Sequence, residues 1–141
     1  MKVEIFSLCD FAQAEPTGKM NLIGTFDRLY AKEAPIVRTV FAVAARLRFE
    51  AHEEGARTVA LSFIDSDGQR VMPLLRAQFN VKLQPNESSA TLNYVMVIPQ
   101  IKLPRFGDYQ IDLAVDDKVE ASLPLHVRQR SAPAAPPPGG G

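Results

Sequence analysis

The stretch Thr39–Glu50, "TVFAVAARLRFE", decides the fold. Its residues have fair helix propensity, and the run on to Glu54, "FAVAARLRFEAHEE", is the best helical candidate in the chain. The charges argue against a helix. Phe41, Val43, Ala45, Leu47 and Phe49 fall on one side of a two-residue repeat, and Arg46, Arg48 and Glu50 fall on the other. That period marks a half-buried strand, and helix propensity is a weak prior against it.

The same alternation recurs outward from this run. Val59, Leu61 and Phe63 carry it in "RTVALSFIDSD", and Ala77, Phe79, Val81 and Leu83 in "RAQFNVKLQ". Leu92, Tyr94, Met96 and Ile98 carry it in "ATLNYVMVI", with Val95 and Val97 opposite. Tyr109, Ile111, Leu113 and Val115 precede a last run of Val119, Ala121, Leu123, Leu125 and Val127. The connections are turn chemistry: Gly55, Asp67-Gly68, Pro85-Asn86 and Asp116-Asp117. Asp116-Asp117 fits a type I′ turn less well, because no glycine is present. Pro99, Pro104 and Pro124 belong at edges, bulges or strand ends.

Roughly eight strands without a crossover helix imply antiparallel pairing. One sheet of that size leaves a large apolar face bare, so two packed sheets are expected. The fold class is all-β: an antiparallel two-sheet β-sandwich, Ig-like. Gly107 and Tyr109 stand just ahead of the penultimate strand, the place of the tyrosine corner in Ig-type sandwiches. The downstream cysteine of antibody domains is missing, and Ile111 fills its spacing as plain core.

Composition bounds the rest. A chain of 141 residues suits one domain, expected over 1–130, with a disordered Pro/Ala/Gly-rich tail over 131–141. "RSAPAAP" in that tail also fits a basic-flanked P-x-x-P ligand through Arg130, Pro133 and Pro136. Lys+Arg and Asp+Glu are both 16, so bulk charge steers the protein neither to nucleic acid nor to anionic lipid. Arg46 and Arg48 read as a solvated sheet surface. One cysteine makes no internal disulfide and fits a reducing compartment. No secretory signal or bilayer-spanning run is legible, and cytoplasm is the default reading.

No catalytic set is visible. Cys9 needs a base, and the chain's two histidines, His52 and His126, have no reason in the sequence to reach it. A free cysteine ordinarily behaves as a small buried hydrophobe. Gly18-Lys19 lacks the further glycines, the Ser/Thr and the helix of a phosphate loop, so Pro16–Lys19 is a turn. Asp65, Asp67, Asp116 and Asp117 are turn formers; they make a calcium site only if their loops meet at one end of the sandwich. One cysteine and two histidines are a poor zinc set. Trp is absent, which argues against carbohydrate binding, and no cofactor is implied.

The opening hairpin behaves differently. "KVEIFSLCDFA" puts Val3 and Ile5 on one face and Phe6 and Leu8 on the other. "MNLIGTFDRLY" puts Leu22 and Phe26 on one face, and Ile23 and Leu29 on the other. Either a bulge switches the facing or both faces are covered, by a strand that changes sheet or by a partner. Gly24 within the run fits a bulge or a close backbone approach.

The same residues, "CDFAQAEPTGKMNLIGTFDRLYA", resemble the opening of a family of small uncharacterised bacterial proteins. That opening reads Asp, aromatic, Ala, then a Gly-Lys-hydrophobic-Asn turn and Gly-x-Phe-Asp. The family's ending resembles Gly107-Asp108-Tyr109 and the paired last strands. The resemblance implies a shared sandwich fold and a domain of unknown function; it supplies no catalytic or ligand residues.

The functional expectation is therefore a non-enzymatic module that contacts a protein partner, or itself, through a sheet face or edge, with Phe6, Leu8, Ile23 and Leu29 as its surface. The alternatives are a calcium- or small-ligand-binding sandwich using the Asp-rich loops, and an enzyme using Cys9.

Overall fold

Nine strands follow one another along the described residues. They are β1 (Lys2–Ala14), β2 (Met20–Phe26), β3 (Arg28–Ala31), β4 (Ile36–Glu50), β5 (Gly55–Ile64), β6 (Leu75–Val81), β7 (Ser89–Leu103), β8 (Gly107–Val115) and β9 (Lys118–Gln129). The computed structural model describes residues 1–130, apart from the side chains of Arg38 and Thr39. The Pro-rich run with Pro133 and Pro136 lies outside the described residues.

The strands form a four-stranded sheet, β2-β1-β4-β7, and a five-stranded sheet, β3-β9-β8-β5-β6. β4 and β7 stand as the B–E pair of an immunoglobulin-type sandwich, and β5, β8 and β9 as its C–F–G set. The ninth strand arises because "MNLIGTFDRLY" splits at Asp27. β2 ends in one sheet and β3 begins in the other. The chain keeps its direction through that switch, so β3 lies parallel to β9. This one parallel pair corrects the fully antiparallel expectation.

Alternation in β4 works as the sequence predicts. Phe41, Val43, Ala45, Leu47 and Phe49 all lie in the inter-sheet core, each 1% exposed or less. β7 changes its inward face part-way: Tyr94 and Ile98 are buried, and then Ile101 and Leu103. Gln100, at φ +51°, sits between the two pairs and turns the strand. Pro99 beside it lies on an edge strand, where a missing N–H costs no ladder bond. Pro124 stands on β9 ahead of the part that β3 covers, and Pro104 follows the end of β7.

The predicted corner is present. Tyr109 Oη donates to the Arg105 carbonyl at 2.6 Å, and its ring is buried against Phe63. Asp116 and Asp117 both take positive φ, +50° and +66°, so the β8–β9 turn is type I′ without glycine. Asp116 is held there by the Thr58 N–H at 3.0 Å and by Arg57 at 2.7 Å. Val119 departs from its expected face. A register shift between Leu113 and Ala114 makes a bulge, and Val119 is exposed.

Candidate functional site

The opening hairpin does not continue as a flat extension of its sheet. Ile5 is paired with Arg46. Thirteen further residues of straight strand would carry Gly18 about 40 Å away. Instead the Gly18 carbonyl accepts from Arg46 Nη1 at 3.2 Å and from Asn93 Nδ2 at 3.0 Å. The outer part of β1 and β2 is therefore folded back over the outside of β4 and β7, as a flap.

The fold-back has a local cause. Cys9 pairs with Thr25, and Phe11 with Ile23; Asp10 and Gly24 stand between these pairs. Gly24 is at φ +69°, a region that side-chain-bearing residues rarely enter. A Cβ there would run into the Asp10 carboxylate. Of the two sequence readings of Gly24, the close approach is the one realised, since the β1–β2 register does not shift.

Folding back makes a second apolar cluster. Ala12, Leu22 and Met20 of the flap close over Cys9, Ala42, Ala44 and Val95 on the outer sheet face. This explains apolar residues on both faces of β1. A bulge at Glu4, between Val3 and Ile5, sets Val3 and Phe6 toward the inter-sheet core. The opposite face is covered by the chain itself.

Glu4 also organises the polar side of the flap. It accepts from Arg48 Nε at 2.8 Å and from Arg46 Nε at 3.1 Å. The Arg48 hydrogen bond, ahead of the one from Arg46, holds the Glu4 carboxyl below its usual range. Arg46 and Arg48, read from sequence as a solvated sheet surface, are thus committed to Glu4, Asn93, Ser89 and the flap tip.

The expected contact residues land in different places. Leu8 is 1% exposed and belongs to the inter-sheet core; Phe6 and Leu29 are partly buried against it. Only Ile23 offers a surface, at 61% exposed, beside its paired neighbour Phe11 at 51%. The sequence reading missed the rest of that surface. Val40 and Val97 are both more than half exposed on the outer sheet face, where Val40 pairs with Pro99 and Val97 with Ala42 two residues along. Val37, three residues back along β4 from Val40, is also exposed. Phe11 leaves the sheet two residues past the Cys9–Ala42 pair, the same step that separates Ala42 from Val40. The missed signal was Val40, Val95 and Val97 on the face opposite the core.

Chemistry at Cys9 finds no support in geometry. The side chain is fully buried under the flap, with Sγ 3.7 Å from the Ala42 carbonyl. Burial, and then the Asp10 charge, push its thiol up, away from the thiolate. His126 lies on β9 in the other sheet and meets Asp108 at 2.8 Å; His52 stands beside Glu50.

The aspartate loops do not meet. Asp65 and Asp67 follow the end of β5, whereas Asp116 is bonded to Thr58 near its start, about 20 Å along the strand. The condition for a shared calcium site, loops gathered at one end of the sandwich, is not met. Each group also has its own partner: Asp65 and Asp67 meet Arg105 at 3.3 and 2.6 Å, and Asp117 meets Arg76 at 3.5 Å. Glu50, His52 and Glu53 gather in the short turn Ala51–Glu53. There Glu53 caps the Glu50 N–H at 3.0 Å and binds the N-terminal ammonium at 2.8 Å.

The model of a family of unknown function, DUF6941, matches residues 4–128. The chain belongs to DUF6941. That match spans the flap, both sheets and all but the last residue of β9. No curated protein matches this DUF6941 chain. Among solved structures, a putative β-galactosidase from Bacteroides fragilis is similar over 67% of this chain and 15% of its own, at 20% identity and TM-score 0.44. A β-glucuronidase of glycoside hydrolase family 2 is similar over 64% of this chain and 10% of its own, at 18% identity and TM-score 0.40. An immunoglobulin-like protein from Pseudomonas aeruginosa is similar over 91% of this chain and 93% of its own, at 14% identity and TM-score 0.36. The DUF6941 chain thus spans only a small part of the two glycosidases. Among the described residues, no helix is long and apolar enough to cross a membrane.

Proposed function

We infer that this DUF6941 domain is a non-enzymatic interaction module, and that its contact surface is the outer face of the four-stranded sheet. The observation that carries this reading is the strip of Val40 and Val97 on that face, continued by Phe11 and Ile23 on the flap. Exposed valines scattered singly need no explanation, but neighbours on one sheet face do. Three stretches of open edge are poorer candidates: Pro99, Gln100 at φ +51° and Lys102 interrupt β7, Pro124 and a bulge interrupt β9 where β3 does not cover it, and a bulge interrupts β1 at Glu4, beyond the reach of β2. These are the features that stop strands from pairing across an edge.

The occupant of the face is a second copy of the chain. Equal numbers of acidic and basic residues, 16 of each, leave two copies with little mutual repulsion. An exposed apolar strip also meets its own copy across a two-fold axis without a complementary pocket. The single free cysteine fits a protein that works in the cytoplasm.

Light scattering across a concentration series tests the reading. The wild type is expected to gain mass with concentration, and Val40→Asp/Val97→Asp to remain a monomer with an unchanged melting temperature. A wild type that stays monomeric throughout overturns self-association. A double variant that associates as well as wild type removes this face from it.

A further inference from the structure

The flap is attached to its sheet by few buried side chains. Of its own residues, only Ala12 is buried, while Met20 and Leu22 are partly so. Its tip is tied down by one carbonyl, Gly18 O, shared between Arg46 and Asn93. Both of its strands bend at one level, where Gly24 has positive φ opposite Asp10. The pairing within the hairpin, from Phe11–Ile23 to Ala14–Met20, does not depend on the sheet beneath it. A segment with few buried apolar contacts, its own internal hydrogen bonds and a single bending level is the kind that opens ahead of the whole molecule.

What lies beneath is not neutral surface. Ala42, Ala44 and Val95 are apolar, flat and continuous with Val97 and Val40 along paired strands. Closed, the flap leaves only a few exposed side chains for contact, short of the roughly 800 Å² per partner of a standard interface. Open, it frees a longer apolar face of β4 and β7.

We propose that the β1–β2 flap is a latch that swings as a unit about Asp10 and Gly24, and that its opening enlarges the face by which two copies meet. The second half of this rests on the contact reading given above; the first half does not.

Cys9 makes the motion measurable. It is the chain's only cysteine, fully buried beneath the flap and outside the inter-sheet core. Its modification by a thiol reagent in native buffer reports opening, and global unfolding is followed separately by circular dichroism in urea. The wild type is expected to label at a rate nearly independent of low urea. Leu22→Ala, which thins the flap's hold, is expected to raise that rate about tenfold, with the rate still nearly independent of low urea. Asn93→Ala, which removes one donor to Gly18 without touching apolar packing, is expected to raise it severalfold.

Labelling whose urea dependence matches that of global unfolding in all three proteins overturns the latch. Light scattering of Leu22→Ala tests the consequence. More association than wild type supports it. Fast labelling with no gain in association overturns the enlarged face and leaves the latch standing.

Discussion

The two apolar clusters of this molecule differ in what they are made of and in what holds them shut. Between the sheets, the fully buried positions are large: Phe41, Phe49, Leu8, Leu47, Leu103, Ile111, Leu113 and Leu125. Phe26, Phe41, Phe63 and Tyr109 follow one another through that core with ring centroids 6.1 to 6.3 Å apart. Under the flap, the buried residues are Cys9, Ala12, Ala42 and Ala44. Small side chains allow a second layer of backbone to lie close, but they remove little apolar area from water. The first cluster therefore carries the stability of the sandwich. The second positions a flap.

Substitutions on the two sides should separate cleanly. Phe41→Ala or Leu47→Ala empties the inter-sheet core and is expected to cost about 3–5 kcal/mol, read as a large fall in the urea midpoint. An equal loss from Leu22→Ala would erase the distinction between the clusters. Gly24→Ala comes next. It meets both a positive φ and the Asp10 carboxylate, so about 1–3 kcal/mol of destabilisation is expected, with faster labelling of Cys9.

The two buried tyrosines sharpen the contrast within the main core. Tyr109→Phe loses the bond to the Arg105 carbonyl and is expected to cost about 1–2 kcal/mol. Tyr94 Oη is buried with no hydrogen-bond partner among the described residues. Tyr94→Phe is therefore expected to be neutral or to raise the melting temperature slightly, because an unpaired buried hydroxyl is itself a cost.

Acid is expected to act more gradually. Glu4, Glu53, Asp108 and Asp116 all have carboxyls held below their ordinary range. For Asp108 the leading cause is the His126 hydrogen bond; for Asp116 it is the Thr58 N–H. A group whose folded pKa is lowered stabilises the protein above its unfolded pKa, and that contribution is lost as pH falls through the folded value. The melting temperature should be flat from neutral pH to about 5 and fall below about 4. Asp116→Asn should start lower and fall less. A melting temperature that rises on acidification would contradict this.

Much of the sandwich was legible because its signals are local. Two-residue alternation marked β4 to β9, and Gly107 and Tyr109 marked the corner. Asp116-Asp117 lacked the usual glycine, yet aspartate tolerates left-handed backbone when its carboxylate is bonded, as Asp116 is to Thr58. The contact surface was harder to read. Alternation tells which residues share a face, but not which face meets the core. Leu8 and Leu29 were assigned to a surface although they face the core from two different sheets, a consequence of the switch at Asp27. The flap depends on Gly18 meeting Arg46 and Asn93, residues 28 and 75 positions away. No local pattern encodes such contacts. Gly24 was the single readable trace of the bend.

Amide hydrogen exchange resolved along the chain tests the account most directly. Amides of the flap, between Phe11 and Ile23, should exchange through a small opening that low urea barely affects. Those of β4 and β8 at Leu47 and Leu113 should exchange only with global unfolding. Equal protection in the two regions, with the same urea dependence, would contradict the division of this molecule into a stable sandwich and a separately opening flap.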